Sequence, residues 1–131
     1  MRILLDTYYL YGLMAARGQF SEAERRFFDE HEAQLHVSAV SIWEMRLKYH
    51  ARHTSGERKS PFDPKAVVVT LERQEAVFLP LTTGHAAREL DTPLSHKDPF
   101  DELLLVQAQE EGLKLLTTDR WIVGHPLAIT V

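Results

Sequence analysis

Short apolar runs alternate with helix-patterned stretches along the whole chain, and that alternation limits the available folds more than any other feature. Arg2 to Leu5 reads as a buried strand; Asp6-Thr7 then caps a helix patterned by Tyr8, Leu10, Tyr11, Leu13 and Met14 and stopped at Gly18. Ser21 caps a second helix to about Glu30, Leu35 to Val37 is a strand, and Ser41 opens a helix to about Tyr49. After a polar loop, Asp63-Pro64 starts a further helix, with proline at its first position, and Ala76 to Leu79 is the next strand. Thr83 to Leu90 reads as a short helix, and Asp98-Pro99 opens a longer one faced by Phe100, Leu103, Leu104 and Ala108 and ended by Gly112. Leu113 to Leu116 and an edge segment from Leu127 to Val131 complete the strands. Such alternation implies an α/β fold: a mostly parallel sheet of about four or five strands with helices on both faces, three layers in all. At 131 residues, one domain spanning 1–131 is expected.

Four acids stand where that fold would gather them. Asp6, Glu44, Asp101 and Asp119 each follow a strand or lie near the start of a helix beside the carboxyl edge of the sheet, where open α/β sheets place their sites. Each also has a purely structural explanation. Asp6 caps a helix; Ser41 and Glu44 have the S-x-x-E spacing of a capping box; Asp101 complements a helix dipole; Asp119 suits a turn. Those explanations leave the joint placement unaccounted for. Two carboxylates about 4 Å apart repel by roughly 4 kcal/mol at an effective dielectric near 20, so four together call for a cation. Oxygen-only ligands select hard ions, magnesium above all, and so point to phosphate-ester chemistry.

The absence of cysteine excludes disulfide frameworks and thiolate zinc sites and suits a reducing compartment. Strand-like residues begin at Arg2 and no apolar run nears the roughly 18 residues of a membrane span, so a soluble, cytoplasmic protein without a leader is expected. A net charge of −4 speaks against non-specific coating of nucleic acid, yet Arg46, Lys48, Arg52, Arg58 and Lys59 make a local basic patch. That patch reads either as a solvated face or as a phosphate contact. His31-Glu32 followed by His36 misses the H-E-x-x-H spacing, and these histidines are expected at the surface. Glycine-rich nucleotide loops and the G-x-S-x-G elbow are absent.

The acids lie within segments that together resemble the PIN-domain nucleases, and among them the VapC-type toxins of bacterial toxin–antitoxin pairs. The segments are Leu4-Leu5-Asp6-Thr7, Val37-Ser38-Ala39-Val40-Ser41-Ile42-Trp43-Glu44, His96-Lys97-Asp98-Pro99-Phe100-Asp101 with Leu103-Leu104 and Gln107-Ala108, and Leu115-Leu116-Thr117-Thr118-Asp119. The resemblance implies a PIN-like domain that hydrolyses RNA with Mg²⁺ or Mn²⁺. Asp6, Glu44, Asp101 and Asp119 would be its metal-site acids, with Asp98 and Thr118 auxiliary, and Arg46, Lys48 and Arg52 would hold the RNA backbone. It also implies an antitoxin partner and a homodimer. Two positions depart from the pattern: Tyr8 replaces a frequent histidine and Glu102 a frequent arginine. The alternatives are a catalytically silent PIN-like module that binds a partner, or an acidic α/β site of phosphatase or receiver type. The second lacks the paired aspartates those sites need after the first strand.

Overall fold

The computed structural model describes residues 2–15, 20–30, 34–96 and 98–131; the expected helix stop at Gly18, His31-Glu32 and Lys97 lie outside them. Within these residues five strands form one sheet, all parallel: β1 (Arg2–Leu5), β2 (Gln34–Ser38), β3 (Val77–Leu79), β4 (Lys114–Leu116) and β5 (Ala128–Ile129), in the order β3-β2-β1-β4-β5. Among the described residues six helices connect them: α1 (Thr7–Met14), α2 (Glu22–Glu30), α3 (Ala39–His50), α4 (Pro64–Arg73), α5 (Thr83–Ala87) and α6 (Pro99–Glu111). The chain builds outward from β1 through β2 to β3, then returns to place β4 on the other side of β1. The β1/β4 junction is therefore the switch point at which doubly wound sheets open a crevice.

Strand side chains alternate between two cores, as a sheet covered on both faces requires. Ile3 and Leu5 join Tyr9, Leu10, Phe20, Phe28, Val37, Met45, Val67 and Leu71 on one face, while Leu4 joins Val40, Leu79, Leu104, Leu105, Leu113 and Leu115 on the other. Gly12 of α1 serves the first core. A Cβ there would stand 2.3 Å from Phe20 Cε1, so the absent side chain is what lets that ring close over the helix. Among the described residues no helix is long and apolar enough to cross a membrane.

The caps largely follow the sequence. Asp63 accepts from Lys65 N at 2.9 Å, Asp98 accepts from Phe100 N and Asp101 N, and Gly112 closes α6 with φ 68°. Ser21 and Glu24 form a reciprocal capping box at the start of α2, with both bonds at 3.0 Å. Four expectations are corrected. The cap of α3 is Ser38, whose Oγ accepts from Val40 N at 3.0 Å; Ser41 is buried inside the helix, so Ser41 and Glu44 form no capping box. Helix α5 ends at Ala87, not Leu90, because Arg88 turns to an extended backbone and its side chain ties to Asp91 and Glu110. His36 is not a surface residue: β2 lies between β3 and β1, and the imidazole is 4% exposed with Nδ1 at 3.0 Å from Gln34 O. Tyr8, which heads the apolar pattern of the first helix, does not face the core and is 51% exposed.

Candidate active site

The crevice at the switch point is built from the ends of β1 and β4. Asp6 follows β1 directly and accepts two hydrogen bonds, from Thr7 N to Oδ1 and from Thr117 Oγ1 to Oδ2, both at 2.7 Å. Thr117 follows β4, so its bond to Asp6 spans the crevice. The same hydroxyl accepts from Asp119 N at 3.0 Å, which sets the acid that follows β4 beside the one that follows β1. Asp119 is also the turn residue expected of it, its Oδ1 accepting from Trp121 N at 2.8 Å.

Glu44 arrives from the second turn of α3. With the cap assigned to Ser38, its carboxylate is free to turn toward β1, and Thr7 Oγ1 donates to Glu44 Oε1 at 2.7 Å. Its other oxygen lies 3.8 Å from Lys48 Nζ, one helical turn on. Asp101 enters from the first turn of α6 and is 9% exposed, with His96 Nε2 at 3.0 Å from Oδ2. Asp98 completes that corner: one ligand atom each from His96, Asp98 and Asp101 lies within 4.8 Å of the others. Among the described residues, no three of the four nominated acids gather as tightly. Thr118 is exposed, and the hydroxyl bonded to the acids is that of Thr117.

Mutual charge nevertheless joins the four. Burial holds Asp6 above the usual carboxyl range, against its bonds from Thr117 and Thr7, and the charges of Glu44 and Asp119 raise it further. Burial likewise pushes Asp101 up to about 6, against its bond to His96, with Asp98, Asp6 and Asp119 adding repulsion. Carboxyls raised by burial and by like charges cluster at functional sites. Glu102, the departure at the next position, is exposed, so its charge meets water.

The shift at Asp101 has a sign that can be measured. Its folded pKa of about 6 lies above the roughly 3.9 of an unfolded aspartate, so the folded state holds the proton more tightly. The resulting stabilisation is full below about pH 4 and is lost as pH rises through 6. In EDTA, the melting temperature of the wild type is expected to fall relative to that of Asp101→Asn between those pH values. A constant difference across the range would refute the shift.

The basic residues are less gathered than the acids. Lys48 is paired with Glu44, while Arg52 donates to Gly56 O at 2.9 Å within an exposed loop, across from Arg58. Arg58 in turn stacks over Tyr49, 4.1 Å from the ring centroid. Arg46 lines a separate groove of ≈ 460 Å³ along α3 and α4 with Ile42, Trp43, Tyr49, Pro64 and Val68. Sequence reasoning missed His96, Thr7 and Thr117 as partners of the acids. Thr7 and Thr117 adjoin nominated residues, a usable signal; His96 opens the segment that leads to Asp101 five positions on, but no spacing rule joins the two.

A family model described as PIN domain matches residues 3–122. No curated protein sequence matches the chain. Solved structures do: a toxin–antitoxin complex from Klebsiella pneumoniae matches with TM-score 0.65 at 20% identity, covering 98% of this chain and 96% of that one. VapBC2 from Rickettsia felis bound to a promoter DNA fragment matches with TM-score 0.65 at 13% identity over 100% and 98% of the two chains. DNA-bound VapBC from Salmonella typhimurium gives TM-score 0.63 at 16% identity over 100% and 97%. At these identities the likeness is one of fold.

Proposed function

The chain belongs to the PIN domain family, and on that premise we propose that residues 1–131 form one VapC-type domain, a metal-dependent endoribonuclease and the toxin of a toxin–antitoxin pair. The observation that supports this reading is that Thr117 joins Asp6 to Asp119 at the β1/β4 switch point, where Glu44 and Asp119 act on the charge of Asp6, and Asp6 and Asp119 on that of Asp101. The donor set fits Mg²⁺ or Mn²⁺: the four acids offer oxygen alone, and two of them are held above their usual range by burial and by the neighbouring carboxylates. Asp6 and Asp101 would hold the ion, Asp119 would complete or orient its shell, and Glu44 would ligate it or position water, with Asp98 and Thr118 auxiliary. When bound, the ion supplies a water of lowered pKa and neutralises charge on the phosphoryl oxygens.

The chain's own residues keep those carboxylates in place. Thr117 and Thr7 N fix both oxygens of Asp6, and the Thr7 hydroxyl with Lys48 fixes Glu44. His96 does the same for Asp101, whose Oδ2 it bonds. Partners of this kind set ligand orientation and typically matter by about 10–100-fold in metal affinity or activity. Arg46 and Arg52 remain the proposed RNA-backbone contacts, while the pairing of Lys48 with Glu44 gives Lys48 a second, local task.

The antitoxin partner is proposed because solved structures sharing this fold were determined as toxin–antitoxin or VapBC assemblies. A homodimer and a cytoplasmic setting go with the same reading. The direct test compares purified wild type and Asp101→Asn on labelled RNA. Cleavage by the wild type should stop in EDTA, return with Mn²⁺, and fall by about 100-fold or more in the variant. Equal cleavage by both proteins would expose a contaminating nuclease. Metal binding without cleavage of any RNA would favour the silent module.

A further inference from the structure

One exposed aromatic on a protein surface needs no explanation. Three, each one or two positions from a site acid, do. Tyr8 lies two residues after Asp6 and is 51% exposed; Trp43 precedes Glu44 and is 47% exposed; Trp121 lies two residues after Asp119 and is 54% exposed. Among these, Trp121 is the most tightly bound into the site. Its backbone N–H donates to Asp119 Oδ1, and the next residue, Ile122, is fully buried, so the turn that presents the indole is anchored on both sides. The ring packs 5.8 Å from the His96 ring at 35°, and His96 Nε2 bonds Asp101. Two acids of the crevice are thus joined to Trp121, Asp119 through the backbone N–H and Asp101 through the His96 ring, and the indole is more than half in solvent.

We propose that Trp121 is the residue against which the substrate stacks an unpaired base, so that the phosphate beside that base comes to lie at the acids. The inference rests on the ribonuclease reading above and names its specificity residue. Every base has a π face, and stacking on a pre-placed aromatic side chain favours bases held out of a helix. Arg120 strengthens the assignment. Its guanidinium lies 5.2 Å from the Trp121 ring centroid and forms no salt bridge among the described residues, so one cation and one aromatic surface are offered together. A paired, stacked duplex presents neither an open base face nor the right edge to such a surface.

The test separates bases from phosphates. Fluorescently labelled oligoadenylate and an abasic oligonucleotide of equal length carry the same backbone charge, and binding of each to the full chain is measured in EDTA, where no cleavage occurs. The wild type should bind oligoadenylate about tenfold more tightly than the abasic strand. Trp121→Ala should lose that preference while binding the abasic strand unchanged, and Trp121→Phe should retain most of it. A preference that survives in Trp121→Ala overturns the proposal. Equal weakening of both ligands does so too, since it marks a structural effect, and so does failure of the wild type to bind either strand. Cleavage of RNA in Mn²⁺ is scored separately. A wild type that cleaves but shows no base preference sinks the stacking inference alone, whereas one that prefers bases but never cleaves sinks only the nuclease reading.

Discussion

Asp6→Asn should lose about 10³-fold in metal-dependent RNA cleavage while its metal-free form melts no lower than the wild type. The loss follows from removing a proposed principal ligand: metal stabilisation of developing phosphoryl charge is worth several kcal/mol, and each 1.36 kcal/mol is tenfold in rate. Retained stability follows from the hydrogen bonds. The asparagine carbonyl still accepts from Thr7 N. Its amide takes the place of Oδ2, and the Thr117 hydroxyl, which already accepts from Asp119 N, has a second lone pair to receive it. Removed with the charge are the burial cost and the repulsion from Glu44 and Asp119. A metal-free Asp6→Asn protein that melts well below the wild type would show that Asp6 is chiefly a structural cap.

The largest effect on folding is expected at Tyr9. It is 1% exposed, on the first turn of α1, and its ring contacts Phe20 and Phe28 at 6.1 and 5.9 Å between centroids, with Phe20 against Phe28 at 5.3 Å. Truncation opens a cavity in the middle of that cluster. Large aromatic to alanine changes cost about 3–5 kcal/mol, much of the roughly 5–15 kcal/mol that holds a domain together. Tyr9→Ala should therefore shift the urea midpoint far down with an unchanged slope, while Tyr9→Phe, which keeps the ring, should stay near the wild type. Similar midpoints for the two variants would mean that the phenol, not the packing, stabilises this core. Because Asp6 caps the same helix, the alanine variant is also expected to weaken the site.

What could be read in the chain was what neighbours in sequence decide. Asp63-Pro64 and Asp98-Pro99 announce helix starts because the cap and the first turn are adjacent residues, and Gly112 announces an end because one backbone angle there is left-handed. The strand and helix alternation gave the layers in the same way. Ser38 and Ser41 show the limit: both precede the same apolar turn, and only the second has a glutamate three residues on, so local spacing selected the wrong one. What overrode it lies far away. Ser38 Oγ donates to Gln107 on α6, and Gln107 also reaches Pro80 O and His85, tying the ends of β2 and β3 to the helix that carries Asp101. Likewise the partners of the acids, Thr7 to Glu44 and Thr117 to Asp6, are 37 and 111 residues apart. The acids themselves were legible because all stand beside one predicted edge; their hydrogen-bond partners were not, because no spacing rule encodes them.

The Thr117 to Asp6 bond across the β1/β4 junction also sets when the site comes into being. Asp6 and Thr117 are 111 residues apart, and they meet only when β4 pairs with the side of β1 that faces away from β2. Closing so long a loop is a late and slow event in folding. A chain in which β4 has not yet paired with β1 therefore carries Asp6, Glu44 and Asp101 without a finished crevice, and the site exists only while that long-range pairing holds.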